Sequence, residues 1–164
     1  NSSPYSWCKT KNIELIKNYS KWFGLRYELL FFYNVYGQGQ ISVGKMATVI
    51  GIFEDQFKNN KPLTVVKPGT QSRRFTHIND TIEACYFAWK KNMCRHYIIS
   101  NKKNYTIMQA AKLFSSRIKL LPPRRGERYA SALTNINLSN KVYKIFGKIE
   151  LKEYVKQRIK TLKR

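Results

Sequence analysis

The sequence predicts an α/β fold in which helices alternate with short, mainly parallel strands. Apolar residues recur near helical spacing between residues 5 and 23, and a nearly continuous apolar run from Leu25 to Val35 follows. Such a run is typical of a strand covered on both faces in a parallel sheet. Helical and extended patterns then keep alternating to the end of the chain, which indicates an α/β architecture. A length of 164 residues suits one domain or a large part of one.

Local signals set the bounds of each predicted element. Pro4 suits the first turn of a helix, which we expect over Tyr5 to Phe23 with Gly24 ending it, and the Asn34 to Gly37 turn ends the strand that follows. The remaining helices are predicted at residues 45–57, 80–91 (capped by Asn79), 106–114, 139–146 and 151–162, and the remaining strands at residues 63–66, 75–78, 97–100 and 118–121.

Composition narrows the classes of function. The 31 Lys and Arg residues exceed the nine Asp and Glu residues, giving a net charge of +22, but they are spread along the whole chain. An even spread of basic residues fits a codon bias as well as a nucleic-acid-binding groove, so we do not expect a nucleic-acid partner. The sequence contains no apolar run long enough to span a membrane, so we do not expect a membrane partner. Three cysteines and two histidines lack metal-ligand spacing. We therefore expect a cytoplasmic protein with reduced thiols and no metal.

A tyrosine and a lysine four residues apart open the first helix. Tyr5 and Lys9 lie on one helical face, where the ammonium favours the phenolate form of the neighbouring phenol. This arrangement can make a general base from tyrosine. The same spacing recurs at Tyr86 and Lys90, within an apolar run typical of packing residues. The alternative for Tyr5 is an ordinary amphipathic helix.

Four motifs occur in order: SPYSWCK at residues 3–9, FFYNVYG at 31–37, RRFTHI at 73–78 and PRRGE at 123–127. Together they resemble the extended short-chain dehydrogenases/reductases, specifically the NAD-dependent epimerase/dehydratase family and its UDP-glucose 4-epimerase group. The resemblance implies the carboxyl-terminal half of a Rossmann-type fold. Residues 1–45 would end the NAD-binding domain, and residues 46–164 would mainly bind the nucleotide-sugar, with some segments returning to the Rossmann sheet.

The resemblance also implies a set of site residues. Tyr5 and Lys9 would be the catalytic pair and, with Tyr33, would contact NAD. Among the implied substrate-binding residues, Asn34, Arg73 and Arg124 would lie near the diphosphate, and Glu127 would bind the ribose. Thr64, Val65 and Val66 would lie along the uracil. Ala47 and Thr48 would lie beside the sugar, and Ser131 would lie at the sugar's 2-position. Asn34 could instead merely end a strand, Val66 could be core, and Arg124 could be part of a solvated basic surface.

Two departures from the family pattern add positive charge near the implied nucleotide site. Arg74 stands where an acid is usual, and Lys67-Pro68-Gly69 replaces a usual Gly-Asp-Gly. No Gly-x-Gly-x-x-Gly motif occurs in the chain.

We therefore expect part of an NAD-dependent UDP-glucose or UDP-N-acetylglucosamine 4-epimerase. Alone it would be inactive, lacking an amino-terminal Rossmann half, and it could form a homodimer through residues 5–23. The alternatives are a related dehydratase or epimerase, or a non-catalytic basic binding module.

Overall fold

The computed structural model describes residues 4–123 and 147–162, and it has the predicted α/β alternation. The helices are α1 Pro4–Phe23, α2 Val49–Lys58, α3 Ile78–Lys91, α4 Ile107–Phe114 and α5 Leu151–Leu162. The strands are β1 Leu29–Phe32, β2 Val35–Tyr36, β3 Leu63–Val66, β4 Ser72–Arg74, β5 Thr76–His77, β6 His96–Ile99, β7 Asn104–Thr106 and β8 Ile118–Leu121. The helix predicted at residues 139–146 lies outside the described residues.

The strands pair as four two-stranded sheets within the described ranges. Three pairs are parallel: β1 with β6, β2 with β5, and β3 with β8. In the third, Leu63 lies opposite Ile118 and Val66 opposite Leu121. The fourth pair, β4 with β7, is antiparallel. Parallel pairs joined through helices are the expected consequence of βα units.

Two hydrophobic clusters hold these elements together. The larger one gathers side chains of β3, α2, α4 and α5, including the fully buried Phe53, Leu63 and Leu151. The smaller one joins α3 to β6 through Ala84, Ala88, Tyr97 and Ile99. Helix α1 contributes no buried residue to either cluster. Residues of α1 and β1 together line a concave surface.

The apolar run from Leu25 to Val35 forms two short strands rather than the single predicted strand. Residues 25–28 precede β1, and the Glu28 carboxylate accepts hydrogen bonds from the backbone amides of Met93, Cys94 and Arg95. At the other end Asn34 adopts a left-handed backbone with φ 41°, which interrupts the strand before Val35. Phe32 is 54% exposed, so the expected cover on both faces is absent from the part of the chain described.

The start of α3 corrects the predicted cap. His77, not Asn79, is the N-cap residue, and its Nδ1 accepts a hydrogen bond of 3.2 Å from the Asn79 backbone amide. Burial lowers the pKa of His77, because the charged imidazolium loses solvation. The start of α2 is also four residues later than predicted, since Thr48 caps it by accepting from the Gly51 amide.

Polar contacts anchor the segment before α5. Tyr36 donates its hydroxyl to the Ile149 carbonyl at 3.0 Å, and the buried Asp80 accepts from the Ile149 amide at 3.0 Å. Within α5, the Tyr154 hydroxyl donates to the buried Glu54 carboxylate at 2.7 Å. These bonds satisfy polar groups that would be costly to bury alone.

Candidate functional site

The predicted catalytic and cofactor residues line one cavity. Tyr5 and Lys9 on α1 face Tyr33 across a space of about 510 Å³ between α1 and the end of β1. The remaining lining residues are Asn12, Ile13, Ile16, Leu29, Leu30, Phe31 and Phe32. Lys9 is the charged residue of this lining, within an otherwise largely apolar surface.

The Lys9 ammonium lies beside the Tyr5 ring. Its Nζ is 5.5 Å from the ring centroid, and the Tyr5 side chain is 73% exposed, so a ligand can reach its hydroxyl. Burial raises the pKa of Tyr33 above its ordinary value, which keeps the Tyr33 phenol protonated as a hydrogen-bond donor. The cavity therefore combines an accessible tyrosine, a cation and a second phenol.

The second Tyr-x-x-x-Lys pair has nearly the same internal geometry. Lys90 Nζ lies 5.9 Å from the centroid of the Tyr86 ring. The described residues that line the hollow beside this pair all belong to α3. Helical spacing thus brings tyrosine and lysine together at both places. Within residues 4–123 and 147–162, the first pair shares its cavity with a predicted site residue of another element, and the second pair does not.

Five of the predicted substrate-binding residues line a second cavity, of about 300 Å³. They are Asn34, Ala47, Thr64, Val66 and Arg73. The remaining lining residues, Val49, Ile52, Phe53, Gln71, Ile107 and Leu121, are apolar except for Gln71. Arg73 is the charged residue in this lining, so the cavity offers apolar walls and one guanidinium, a group that binds phosphate well.

Strand alternation divides the predicted residues of β3. Thr64 and Val66 line the cavity, whereas the Val65 side chain is buried in the larger hydrophobic cluster. Gln56 holds Thr64 in place, since its side chain accepts from the Thr64 amide at 2.9 Å and donates to the Thr64 hydroxyl at 2.8 Å. Sequence analysis did not identify Gln56. The i, i+8 relation between a helix and the next strand gives no recognisable pattern.

Thr48 does not line the cavity in this structure. Besides capping α2, its hydroxyl donates to the Gln40 side chain at 2.8 Å. Three further predicted residues, Arg124, Glu127 and Ser131, lie outside the described residues.

Consecutive residues connect the two cavities. Tyr33 lines the first cavity and Asn34 lines the second. The left-handed backbone at Asn34 redirects the chain between them, and the Asn34 side chain donates to the Arg74 carbonyl at 3.1 Å. The predicted catalytic and substrate sites are therefore adjacent along the backbone.

The two arginines of β4 point to different surroundings. Arg73 lines the second cavity, and its Nη1 donates to the Ser72 carbonyl at 2.8 Å. Arg74 Nη1 instead donates to the carbonyls of Asn101 and Lys102, at 3.4 and 3.1 Å. Arg74, which departs from the family pattern, thus binds a loop and is not among the residues that line the cavity.

No group of metal-ligating side chains occurs among residues 4–123 and 147–162. Over the same residues, no helix is both long and apolar enough to cross a membrane.

Comparison with known proteins assigns the chain to a family. Residues 1–107 match the model of the NAD dependent epimerase/dehydratase family. The chain belongs to this family. A relative from Methanocaldococcus jannaschii, named "Putative UDP-glucose 4-epimerase", is 30% identical over 98% of this chain and 53% of its own length.

Solved structures share the fold. A Thermotoga maritima UDP-glucose 4-epimerase with UDP-glucose has a TM-score of 0.83 at 23% identity, covering 98% of this chain and 53% of its own. A UDP-N-acetylglucosamine 4-epimerase from Methanobrevibacter ruminantium, in complex with UDP-N-acetylmuramic acid, has a TM-score of 0.83 at 24% identity, with 99% and 53% covered. For a Thermus thermophilus UDP-glucose 4-epimerase complex with NAD the TM-score is 0.79 at 20% identity, with 98% and 54% covered. The chain thus spans about half the length of these relatives.

Proposed function

We propose that this chain carries the catalytic pair and the nucleotide-sugar pocket of an NAD-dependent nucleotide-sugar 4-epimerase, as its carboxyl-terminal half. The adjacency of the two cavities carries this proposal. Tyr33 joins Tyr5 and Lys9 in one cavity, while the next residue, Asn34, joins Arg73 in the other. A sugar bound across that junction would present its reacting hydroxyl to Tyr5 while its diphosphate remained near Arg73.

Each residue has a role suited to its chemistry. Tyr5 takes the proton of the sugar 4-hydroxyl as general base, and the Lys9 ammonium lies beside the Tyr5 ring. Arg73, together with Arg124, binds the diphosphate, and Glu127 accepts from the ribose. Thr64 and Val66 contact the base, and Ala47 lies near the sugar. Ser131, a small residue, leaves room for an N-acetyl group, so UDP-N-acetylhexosamines are proposed substrates beside UDP-hexoses.

The first cavity fits the nicotinamide–ribose end of NAD. Its apolar residues Ile13, Ile16 and Leu30 suit a flat ring, while Lys9 and Tyr33 offer hydrogen-bond donors for ribose hydroxyls. When bound, NAD supplies the reversible oxidation at the sugar's C4. The sequence contains no Gly-x-Gly-x-x-Gly turn to hold a pyrophosphate. We therefore propose that this chain holds only that end of the cofactor.

Tyr5→Phe tests the proposal in the protein at its full natural length. We expect the rate of UDP-glucose 4-epimerisation to fall by about 100-fold or more, because general-base catalysis contributes at least that factor. Binding of UDP-glucose should stay within about twofold, since the hydroxyl acts mainly in the transition state. The measurements are product formation by chromatography and calorimetric titration.

Tyr86→Phe is the matched control, because it removes a hydroxyl from the same Tyr-x-x-x-Lys geometry at another site. Its rate should equal that of the parent. A Tyr5→Phe protein with parental turnover would contradict the proposed base. Formation of a 4-keto-6-deoxy sugar in place of the C4 epimer would favour the related dehydratases.

A further inference from the structure

Gln71 is a buried polar residue in the wall of the second cavity, and sequence analysis assigned it no role. Its side chain is 1% exposed, and it lines the cavity together with Arg73. The carboxamide nitrogen donates to the Val66 carbonyl at 3.3 Å. Among the residues that the structure describes, the carboxamide oxygen has no hydrogen-bond partner. A buried acceptor without a donor is costly, so such a group is expected to meet a ligand donor.

The contact with Val66 fixes which end of the carboxamide is unpaired. Exchanging nitrogen and oxygen would place the Gln71 oxygen against the Val66 carbonyl oxygen, and two acceptors repel. The Gln71 backbone is held as well, since its carbonyl accepts from the Ile107 amide at 2.9 Å. The unpaired group is therefore an acceptor on a fixed backbone.

Strand geometry places Gln71 and Arg73 on the same side of the chain. Residues i and i+2 of an extended segment point to one face and lie about 7 Å apart. The wall around Gln71 is apolar, with Val66, Ile107 and Phe53 lining the same cavity. A flat base suits such a wall, provided that its in-plane polar atoms find partners. The guanidinium of Arg73 suits the phosphates of the same ligand.

We propose that Gln71 Oε1 accepts a hydrogen bond from the ring N3–H of a bound uracil or thymine. This inference rests on the proposed function, in which the cavity holds a pyrimidine nucleotide-sugar. Uracil and thymine both carry a donor at N3, whereas cytosine carries an acceptor there. Gln71 thereby selects uridine and thymidine nucleotides over cytidine nucleotides, and it is a specificity-determining residue of the pocket.

Calorimetric titration of the full chain with UDP, CDP and the 3-methyluridine analogue of UDP tests this inference. We expect the parent protein to bind UDP about tenfold or more tightly than CDP or the methylated analogue, as loss of one buried hydrogen bond implies. Equal affinity for all three would overturn the inference while leaving nucleotide binding intact. Absence of binding to any of them would overturn the proposed function of the cavity as well.

Gln71→Met removes the acceptor while keeping a side chain of similar length. In this variant the preference for UDP over CDP should fall to within about threefold, because neither base then has a partner at N3. Ser72→Ala, on the opposite side of the same segment, is the control and should retain the parental preference. A Gln71→Met protein with undiminished preference would refute the assignment. If that variant does not fold, the methylated analogue on the parent protein still decides the question.

Discussion

At the scale of single residues, adjacent arginines show how strand geometry assigns different tasks to identical side chains. Arg73 lines the second cavity, whereas Arg74 donates to the Asn101 and Lys102 carbonyls. Successive side chains of a strand point to opposite faces, so only one of the two arginines lines the cavity. The Arg74 guanidinium thus binds backbone carbonyls of the loop at residues 101–102.

Substituting each arginine by alanine should separate these tasks. Arg73→Ala should weaken UDP-glucose binding by about tenfold or more, because a charge-assisted contact to phosphate is lost. Arg74→Ala should leave affinity within about twofold but lower the thermal midpoint, since it removes the bonds to the two loop carbonyls. Titration calorimetry and thermal unfolding measure the two effects. An Arg73→Ala protein with parental affinity would contradict the proposed phosphate contact.

The residues to which the sequence assigned a site role belong to motifs, whereas residues defined by a tertiary neighbour received no role. Asn34, Thr64 and Arg73 belong to recognisable segments, and the structure places all three in one cavity. Gln56 is positioned by its hydrogen bond with Thr64, and Gln71 is positioned by its hydrogen bond to the Val66 carbonyl. No residue spacing in the sequence predicts the orientation of a glutamine side chain in the folded protein.

At the scale of elements, the bounds of two short apolar strands were predicted correctly, whereas the long apolar run from Leu25 to Val35 was wrongly predicted as one strand. The strands at Leu63–Val66 and Ile118–Leu121 have the predicted bounds, as does the end of α1 at Phe23. Strand β7, Asn104–Thr106, was not predicted because it is three residues long and largely polar. Its pairing with β4 is antiparallel and depends on a contact between distant segments. Short strands of this kind are defined by their partner more than by their own sequence.

The His77 cap of α3 predicts a pH dependence. Its neutral Nδ1 accepts from Asn79, and Asp80, Tyr36 and Tyr154 are the ionisable groups that surround it. Burial lowers the pKa of His77 although Asp80 opposes that shift. The unfolded chain therefore takes up a proton at higher pH than the folded one. Stability should be lost as pH falls below about 6.5, the ordinary pKa of histidine.

Denaturant unfolding between pH 7.5 and 5.5 measures this effect. His77→Asn keeps a good N-cap acceptor but cannot titrate in this range, so its unfolding free energy should change less with pH than that of the parent. His96→Asn is the control, since His96 is the only other histidine in the sequence and is exposed. If the unfolding free energies of the parent and of His77→Asn changed equally with pH, the predicted contribution of His77 to the pH dependence would be contradicted.

At the scale of the whole molecule, the described sheets are all two-stranded. Strand β1 pairs with β6, and helix α1 exposes large side chains such as Trp7, Trp22 and Phe23. The division into residues 1–45 and 46–164, and a homodimer contact through residues 5–23, stay predictions. Strand β6, at residues 96–99, is the parallel partner of β1, at residues 29–32.

The 164-residue chain alone should bind UDP but give no turnover of UDP-glucose with added NAD. The second cavity is built within the chain, whereas a glycine-rich turn for the cofactor's pyrophosphate is absent from the sequence. Product formation by the purified chain is the measurement. UDP titration of the same sample is the control that it is folded. Clear formation of UDP-galactose would refute this prediction.

The peptide bond between Tyr33 and the left-handed Asn34 keeps the two cavities next to each other. Tyr33 and Asn34 are joined by one peptide unit, so their Cα atoms remain about 3.8 Å apart whatever the surrounding packing does. The junction between the cavities is thus set by covalent bonds, while each cavity's outer wall is set by softer side-chain contacts. Thermal motion can widen either cavity, but it cannot separate the two cavities at the Tyr33–Asn34 peptide bond.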